Sequence, residues 1–368
     1  MTAAPAHITI LAGGTGGHIM PGLAVADRLQ ARQHRVSWLG SSDSMEQRLV
    51  PQRGLEFHAM AIRGLRGSGL KRKLIMPWLL SRAVLQAIGI LRRLRPDCVL
   101  SMGGFAAAPG GIAAWLLRVP LVVHEQNRIP GLTNRLLVRF ASRVCQGFAH
   151  SFAPRWQAHT TGNPLRADIA ALAGQAVPEA STDPARPLQV LVLGGSQGAN
   201  ALNQALPQAL ATAAAASGAR LALRHQCGER WQQITSAAYA GHAQTFIELH
   251  IETFIDDMAS AYQQADLVIA RSGAMTVSEL AAAARASVLV PYPHAVDDHQ
   301  TANAEVLVAA GAAELLPEQA LHDDRASTLL QRLCADRQVL QQMAAAAASV
   351  HAGDAAAAVA DACLELCR

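Results

Sequence analysis

The sequence predicts an α/β protein made of two successive Rossmann-like domains, each a doubly wound parallel sheet. Three observations carry that prediction. Short continuous Val/Ile/Leu runs are closed by glycine, helical periodicity fills the intervals between them, and the whole series restarts near residue 188. The length of 368 residues agrees, because it exceeds what one hydrophobic core usually serves.

The elements follow in order. A first strand, His7–Leu11, closes at Gly13-Gly14, and Pro21–Arg32 reads as the helix behind it. Val36–Leu39 is a second strand ending at Gly40, and Leu79–Leu94 carries apolar residues at helical spacing. Asp97–Leu100 leads to Gly103-Gly104, and Leu121–His124 follows Pro120. Ala173–Pro187 is rich in Ala, Pro and small polar residues and has almost no apolar periodicity. Leu188–Leu193 then ends at Gly194-Gly195, and Arg220–Arg224, Thr245–Leu249, Leu267–Ala270 and Val288–Val290 continue as strands. Alanine runs at 344–348 and 355–358 favour terminal helices. The domain switch is expected near Thr161–Arg166.

Composition removes several classes. Hydrophobic residues make up 51% and charged residues 16%, which excludes disorder. Cys98, Cys145, Cys227, Cys334, Cys363 and Cys367 form no CxxC pair and have no histidine at zinc-finger spacing, so they read as thiols in a reducing compartment. The opening MTAAPAH lacks the basic n-region of a signal peptide. Cys98–Leu117 is uncharged and long enough to raise the question of a membrane span. It contains Gly103, Gly104, Pro109, Gly110 and Gly111, which favour strand, loop and helix instead. The expected setting is cytosolic, with surface association left open.

The net charge of +4 conceals a split. Residues 1–163 hold 20 Lys and Arg against 6 Asp and Glu, whereas residues 164–368 hold 11 against 21. A basic front half suits an anionic partner, nucleic acid or lipid surface, although a solvated basic surface has the same composition.

Three glycine loops follow strands: Gly13-Gly14-Thr15-Gly16-Gly17, Gly103-Gly104 onward to Gly111, and Gly194-Gly195-Ser196-Gln197-Gly198. Such loops let backbone N–H groups at the next helix start approach phosphate, though tight strand–helix packing also uses glycine. The first loop is not GxGxxG, since Ile19 stands where the last glycine would be. No carboxylate follows Trp38-Leu39-Gly40 to hold a ribose. No GK[ST] follows any loop. NAD and P-loop ATP binding both lose support. His18 closes the first loop, where an imidazole can cap a helix or act as a base near neutral pH. His124-Glu125-Gln126-Asn127 comes directly after a strand, where α/β sites sit; HExxH metal binding fails there because residue 128 is Arg.

Taken in series, GGTGGHIMPGLA (13–24), HEQN (124–127), GNPLR (162–166), GGSQGA (194–199), FIDDM (254–258) and RSGAMTVSE (271–279) resemble the MurG family. Its members are peptidoglycan-pathway N-acetylglucosaminyltransferases of the GT-B fold, with two Rossmann-like domains facing a cleft. The resemblance implies transfer of GlcNAc from UDP-GlcNAc to the MurNAc 4-hydroxyl of undecaprenyl-pyrophosphoryl-MurNAc-pentapeptide, lipid I to lipid II, with inversion to a β-1,4 link. It implies an acceptor- and membrane-facing domain at 1–163 and a UDP-GlcNAc-binding domain at 164–351, with a C-terminal helix of about 352–368 packing back on the first. Carried over by position, Thr15, Gly16, Gly17, Asn127, Arg166, Ser196, Ile255, Ala274, Met275, Thr276, Val277, Ser278, Glu279 and Gln300 are expected at the donor. His18 is the expected base, and Gly13, Gly14, Gly103 and Gly104 the expected loops for the acceptor pyrophosphate. Where the family often has a Gln pair, this chain has His299-Gln300, so His299 stays unassigned.

The residue types suit that chemistry. Arg166, Ser196 and loop amides can meet the charge of a departing diphosphate. Glu279 can accept from ribose hydroxyls, Ile255 can offer backbone atoms to uracil, and Asn127 and Gln300 can bind sugar hydroxyls and the acetamido group. No DxD motif occurs; Asp256-Asp257 and Asp297-Asp298 read as helix caps or solvated acids, and neither a metal nor a cofactor is expected. Lys71-Arg72-Lys73 precedes Leu74–Leu80, a run too short to span, so Ile75, Trp78 and Leu79 are the expected interfacial patch. The expected partners are UDP-GlcNAc, lipid I, an anionic membrane surface and other cell-wall synthesis proteins, with no nucleic acid. The expected location is peripheral, on the cytoplasmic face of the bacterial inner membrane. Two alternatives remain: a UDP-GlcNAc 2-epimerase-like enzyme and a non-catalytic nucleotide-sugar binding protein of the same fold.

Overall fold

The computed structural model describes residues 4–42, 44–61, 70–175, 186–195 and 197–367, with the side chains of 70–77 outside that description. The chain divides into two compact units, one of residues 1–166 with 352–368 and the other of residues 167–351. The division falls three residues beyond position 163.

The strands of the first unit are β1 (His7–Ala12), β2 (Arg35–Ser41), β3 (Glu56–Met60), β4 (Cys98–Gly103), β5 (Leu121–Glu125), β6 (Arg143–Gln146) and β7 (His159–Thr160). Its helices are α1 (Gly16–Ala31), α2 (Met45–Gln52), α3 (Leu70–Leu94), α4 (Ala107–Leu116) and α5 (Leu132–Leu137). All pairings are parallel, in the order β3-β2-β1-β4-β5-β6-β7. The order in which the chain adds strands reverses between β1 and β4, and that switch point is where α/β sheets open a crevice.

The second unit holds β8 (Leu188–Leu193), β9 (Leu221–Gln226), β10 (Phe246–Glu252), β11 (Leu267–Ala270), β12 (Ala286–Leu289) and β13 (Ala313–Leu315). Around them lie α6 (Ala167–Ala170), α7 (Asn200–Ser217), α8 (Gln232–Ala240), α9 (Met258–Gln264), α10 (Ala274–Ala282), α11 (His299–Ala309), α12 (Asp324–Ala335) and α13 (Arg337–Val350). The sheet is again parallel, β10-β9-β8-β11-β12-β13, with its switch point between β8 and β11. The last helix, α14 (Ala355–Leu364), packs on α1 in the first unit.

Strand periodicity sorts the first unit's core into two layers. Ile8, Ile10 and Ala12 of β1 point with Cys98, Leu100 and Met102 of β4 toward α1 and α14, where Val359 and Cys363 are fully buried. The alternate residues Leu11, Val99 and Val123 pack with Leu91 of α3 and Ala113 of α4. Two apolar faces on every central strand are what a parallel sheet covered on both sides requires.

Two helices differ from the sequence expectation. Helix α1 begins at Gly16, five residues before Pro21, because the Thr15 carbonyl accepts from the N–H groups of His18 and Ile19 at 3.1 and 3.2 Å. The proline therefore sits inside the helix rather than opening it. Helix α3 begins at Leu70 rather than Leu79, so Trp78 and Leu79 lie within it.

Residues 337–364 are apolar enough on average to pass for one membrane-crossing helix. The backbone breaks that run. Helix α13 ends at Val350, Gly353 has a φ of +82°, and Asp354 caps α14 by accepting from Ala357 N at 3.0 Å. The pieces also belong to different units.

Candidate active site

In the first unit, the loops after β1 and β4 meet at the switch point. Gly104 has a φ of +82°, and a Cβ placed on it would lie 2.0 Å from the Gly13 carbonyl oxygen, so only glycine lets the two loops touch. The β1/β4 register shifts between Leu11 and Ala12, which brings Ala12 opposite Gly103. Beneath the first loop lies Glu46, fully buried on α2. Its carboxylate accepts from Ser41 N (3.1 Å) and Ser41 Oγ (2.7 Å), and at 3.4 Å from Gly14 N. The Gly14 N–H is thus turned toward a carboxylate. The N–H groups of Gly16 and Gly17 begin α1 and have no partner within the helix.

His18 stands on the first turn of α1, partly exposed, 3.3 Å from where a Cβ on Gly103 would be. Its Nδ1 lies 2.9 Å from Gln126 Oε1. Gln126 Nε2 is 3.1 Å from His124 Nδ1 and 3.2 Å from the His124 carbonyl, and His124 Nε2 is 3.0 Å from the Gly162 carbonyl. Burial pushes His124 down to about 4, so its imidazole is neutral at physiological pH. Glu125, also buried, accepts from Asn127 N, Asn127 Nδ2, Gly131 N and Asn134 Nδ2 at 2.9–3.1 Å. These bonds hold the turn that carries Asn127. Hydrogen bonds thus join residues 124–127 to His18.

In the second unit, β8 runs into Gly194-Gly195, and Gly198 packs where a Cβ would lie 2.1 Å from the Cys227 carbonyl. Gln226 Nε2 donates to Gly195 O (3.1 Å) and Thr253 O (3.0 Å), tying this loop to the one after β10. Ile255 follows and is buried, and the polar atoms it has are those of its backbone. Gly273 caps α10 in extended conformation, leaving the N–H groups of Ala274, Met275 and Thr276 at the helix start; Val277 N already donates to Gly273 O at 3.0 Å. Val277 is buried, Ser278 Oγ donates back to Ala274 O (2.9 Å), and Glu279 Oε2 accepts from Tyr262 Oη (2.9 Å). Gln300 Oε1 accepts from Tyr292 N at 2.9 Å, which leaves its NH2 as the group to present. Tyr292 in turn lies under Arg271, whose guanidinium is 5.5 Å from the ring centre and pairs with Glu318.

The expected residues fall in two sets. Thr15, Gly16, Gly17, His18, Gly103, Asn127 and Arg166 belong to the first unit, and Ile255, Ala274–Glu279 and Gln300 to the second. Ser196 lies outside the described residues, as does the Ile75 side chain. Trp78 is 60% exposed with Arg82 over its ring at 5.8 Å, whereas Leu79 is half-buried. Asp257 caps α9, accepting from Ser260 N at 2.9 Å, and Asp298 accepts from Thr301 Oγ1 at 2.7 Å. Asp297 and Asp298 both have φ near +50°, a strained pair directly before His299-Gln300. His299 donates from Nδ1 to Val296 O at 2.7 Å.

Sequence reading missed Glu46, Asn134, Gln226 and Ser272, and it singled out Gln126 within residues 124–127 without its bond to His18. Ser272 is fully buried, and its hydroxyl has no hydrogen-bond partner; its carbonyl accepts from Asn303 Nδ2 at 3.2 Å. Its place between Arg271 and Gly273, inside a quoted motif, was the available signal. Among the described residues no three His, Cys, Asp or Glu side chains cluster as metal ligands.

Two parallel Rossmann-like sheets in one chain, each with a glycine loop and an open helix start at its switch point, are the halves of a GT-B fold. The family 28 glycosyltransferase N-terminal domain matches residues 8–146, and the corresponding C-terminal domain matches residues 189–359. An Aeromonas hydrophila protein named UDP-N-acetylglucosamine–N-acetylmuramyl-(pentapeptide) pyrophosphoryl-undecaprenol N-acetylglucosamine transferase is 47% identical, over 98% of this chain and 96% of its own. The protein of the same name from Xanthomonas euvesicatoria is 52% identical, over 97% of this chain and 80% of its own. The crystal structure of Acinetobacter baumannii MurG superposes with a TM-score of 0.85 at 38% identity, covering 98% of this chain and all of that one. The chain belongs to glycosyltransferase family 28 and, within it, to the MurG family.

Proposed function

We propose that this protein transfers GlcNAc from UDP-GlcNAc to the MurNAc 4-hydroxyl of undecaprenyl-pyrophosphoryl-MurNAc-pentapeptide, converting lipid I to lipid II with inversion at the anomeric carbon. The observation that carries the reading is near-complete coverage by relatives of that name, at 47–52% identity, in a chain whose family motifs occur in order.

The residues have distinct tasks. His18, at the switch point of the first unit, removes the proton from the attacking hydroxyl. The α1 start at Thr15–Gly17 and the Gly13-Gly14 and Gly103-Gly104 loops hold the acceptor pyrophosphate and the near side of the donor. The Gly14 N–H, already directed at Glu46, is the weakest of these donors. In the second unit the α10 start, Ala274–Thr276, faces donor phosphate and Ser196 adds a hydroxyl, while Arg166, the last residue of the first unit, adds charge. Glu279, held by Tyr262, accepts from the ribose. The Ile255 backbone reads uracil, and Asn127 and Gln300 hold the sugar. The domains act at 1–163 with the C-terminal helix, and at 164–351.

The acceptor is lipid-linked, so the enzyme works peripherally on a membrane, at its cytoplasmic face. The proposed inserted patch is Ile75, Trp78 and Leu79 of α3, with Lys71, Arg72, Lys73 and Arg82 close to them in sequence. Contacts with other cell-wall synthesis proteins belong to the same setting.

Incubation with labelled UDP-GlcNAc and a lipid I analogue tests the reaction. A β-1,4 disaccharide product is expected. UDP-GlcNAc epimerised without an acceptor would favour the epimerase-like alternative, and tight UDP binding without turnover would favour a binding protein.

A further inference from the structure

The hydrogen-bonded series Gly162–His124–Gln126–His18 admits one assignment of its protons. A peptide carbonyl only accepts, so His124 Nε2 carries a hydrogen and donates to Gly162 O. The Gln126 amide nitrogen is 3.2 Å from the His124 carbonyl, again an acceptor, so the NH2 group faces His124. The reversed amide would set two oxygens against each other there. With the amide so oriented, Oε1 faces His18 and can only accept, and His18 Nδ1 at 2.9 Å must be the donor. A neutral imidazole has one N–H, so the lone pair of His18 is on Nε2. The desolvated, neutral state of His124 agrees, because its bare Nδ1 then accepts from the same Gln126 NH2 at 3.1 Å.

We propose that Gln126 and His124 are positioning residues that lock His18 as the Nδ1–H tautomer, fixing the unprotonated Nε2 as the atom that takes the acceptor hydroxyl's proton. The proposal rests on the reading of His18 as the base and adds what aims it. In the transfer, the O–H bond of the 4-hydroxyl breaks and its proton goes to His18 Nε2. The oxygen bonds to the anomeric carbon, and the carbon–oxygen bond to UDP breaks with its electron pair leaving on the diphosphate. The imidazolium formed has its Nδ1–H already bonded to Gln126 Oε1, so no ring turn is needed during the step. Gln126 and His124 are 1% exposed or less, which keeps water from competing for these bonds. The wrong tautomer is expensive elsewhere: in a serine-protease triad it lowers turnover by ~10⁴.

The test begins on the native full-length protein. Imidazole ¹⁵N shifts of selectively labelled enzyme, assigned with His18→Ala, should show His18 protonated at Nδ1 when neutral; a free imidazole in water favours Nε2–H instead. Nε2–H in the native enzyme overturns the proposal. Gln126→Met keeps the volume and removes the acceptor. It should shift His18 toward Nε2–H and lower kcat by ~10² or more, with KM for both substrates within about threefold. A Gln126→Met enzyme with native tautomer and native kcat overturns the proposal. If Gln126→Met does not fold, the shifts of the native enzyme decide. Near-native turnover of His18→Ala would instead remove the base reading while leaving the tautomer result standing.

Discussion

Each unit has a hydrogen-bonded network centred on a fully buried histidine, and the two networks end differently. In the first unit, His124 bonds to Gly162 at one nitrogen and, through Gln126, to His18 near solvent. In the second, His225 bonds to Asn203 Oδ1 (2.9 Å) and Tyr239 Oη (2.8 Å), both inside, and Asn203 closes on the Cys227 carbonyl. One network ends at a group able to exchange a proton with substrate; the other ends on itself. The same desolvation holds His124 at about 4 and His225 at about 3. The switch points differ accordingly. The first presents a titratable imidazole, whereas the second presents helix-start N–H groups and a carboxylate pinned by a tyrosine. The proposed function puts proton transfer on the first unit and nucleotide recognition mainly on the second.

The strongest break of that comparison is His18→Ala. Loss of a general base should lower kcat by ~10²–10⁴ while UDP affinity stays nearly unchanged, since the interaction exists chiefly in the transition state. Single-turnover rates and calorimetric UDP binding measure both. Turnover within a few-fold of wild type would move the proton acceptor elsewhere.

Acid stability sharpens the pairing of the two histidines. Both are neutral when folded and take a proton when unfolded, so the unfolded state binds more protons between the folded value and 6.5. Stability is therefore full above pH 6.5 and falls as pH drops toward about 4 for His124 and about 3 for His225. The upper bound is on the order of 3–5 kcal/mol. His225→Gln can donate to Asn203 and accept from Tyr239 without titrating. It should flatten the acid slope of urea unfolding and keep turnover at pH 7.5. An unchanged slope would mean His225 is not desolvated.

The sheets' central strands were legible in the sequence because parallel pairing buries both faces, as in HITILA and LQVLVL. The strands that were not legible lie toward the edges. β3 (EFHAM), β6 (RVCQ), β7 (HT) and β13 (AEL) are short and half polar, and they pair only because a central strand is already there. Similarly, Pro21 pointed to a helix start that the Thr15 carbonyl had moved upstream. At the candidate site, His18 and Glu279 could be singled out from the sequence because each lies in a motif and carries its own chemistry. The site was not legible where function depends on contact across the fold. Gln126 reaches His18 over 108 positions because β1, β4 and β5 lie side by side, and Glu46 resembles a surface helix residue until its burial under Gly14 is seen.

Recognition in the second unit should show in binding rather than in turnover. Glu279→Ala removes an acceptor for ribose hydroxyls and frees Tyr262. A loss of ~1.5–3 kcal/mol, roughly 10- to 150-fold in UDP-GlcNAc affinity, is expected, with KM for the lipid acceptor unchanged. Equal weakening of both substrates would erase the division of labour between the units.

The smallest effect concerns the outer surface, where the units also diverge. The first unit's sequence is basic and exposes Trp78, Trp115 and Leu116, whereas the second's is acidic. Charge attraction to anionic lipid is screened by salt, whereas apolar insertion is not. Removing the apolar part by Trp78→Ser/Leu79→Ser should reduce partitioning onto anionic vesicles by about tenfold, near 1–2 kcal/mol of lost burial. The residual binding should be abolished by salt, and UDP affinity should persist because neither Trp78 nor Leu79 is among the proposed donor residues. Leu79 is half-buried, so thermal melting must first show that the variant folds; Trp78→Ser alone, at a 60% exposed position, is the cleaner probe. Vesicle binding by folded Trp78→Ser equal to wild type at every salt concentration would take the patch off α3 and leave the basic charge as the first unit's whole contribution to the membrane.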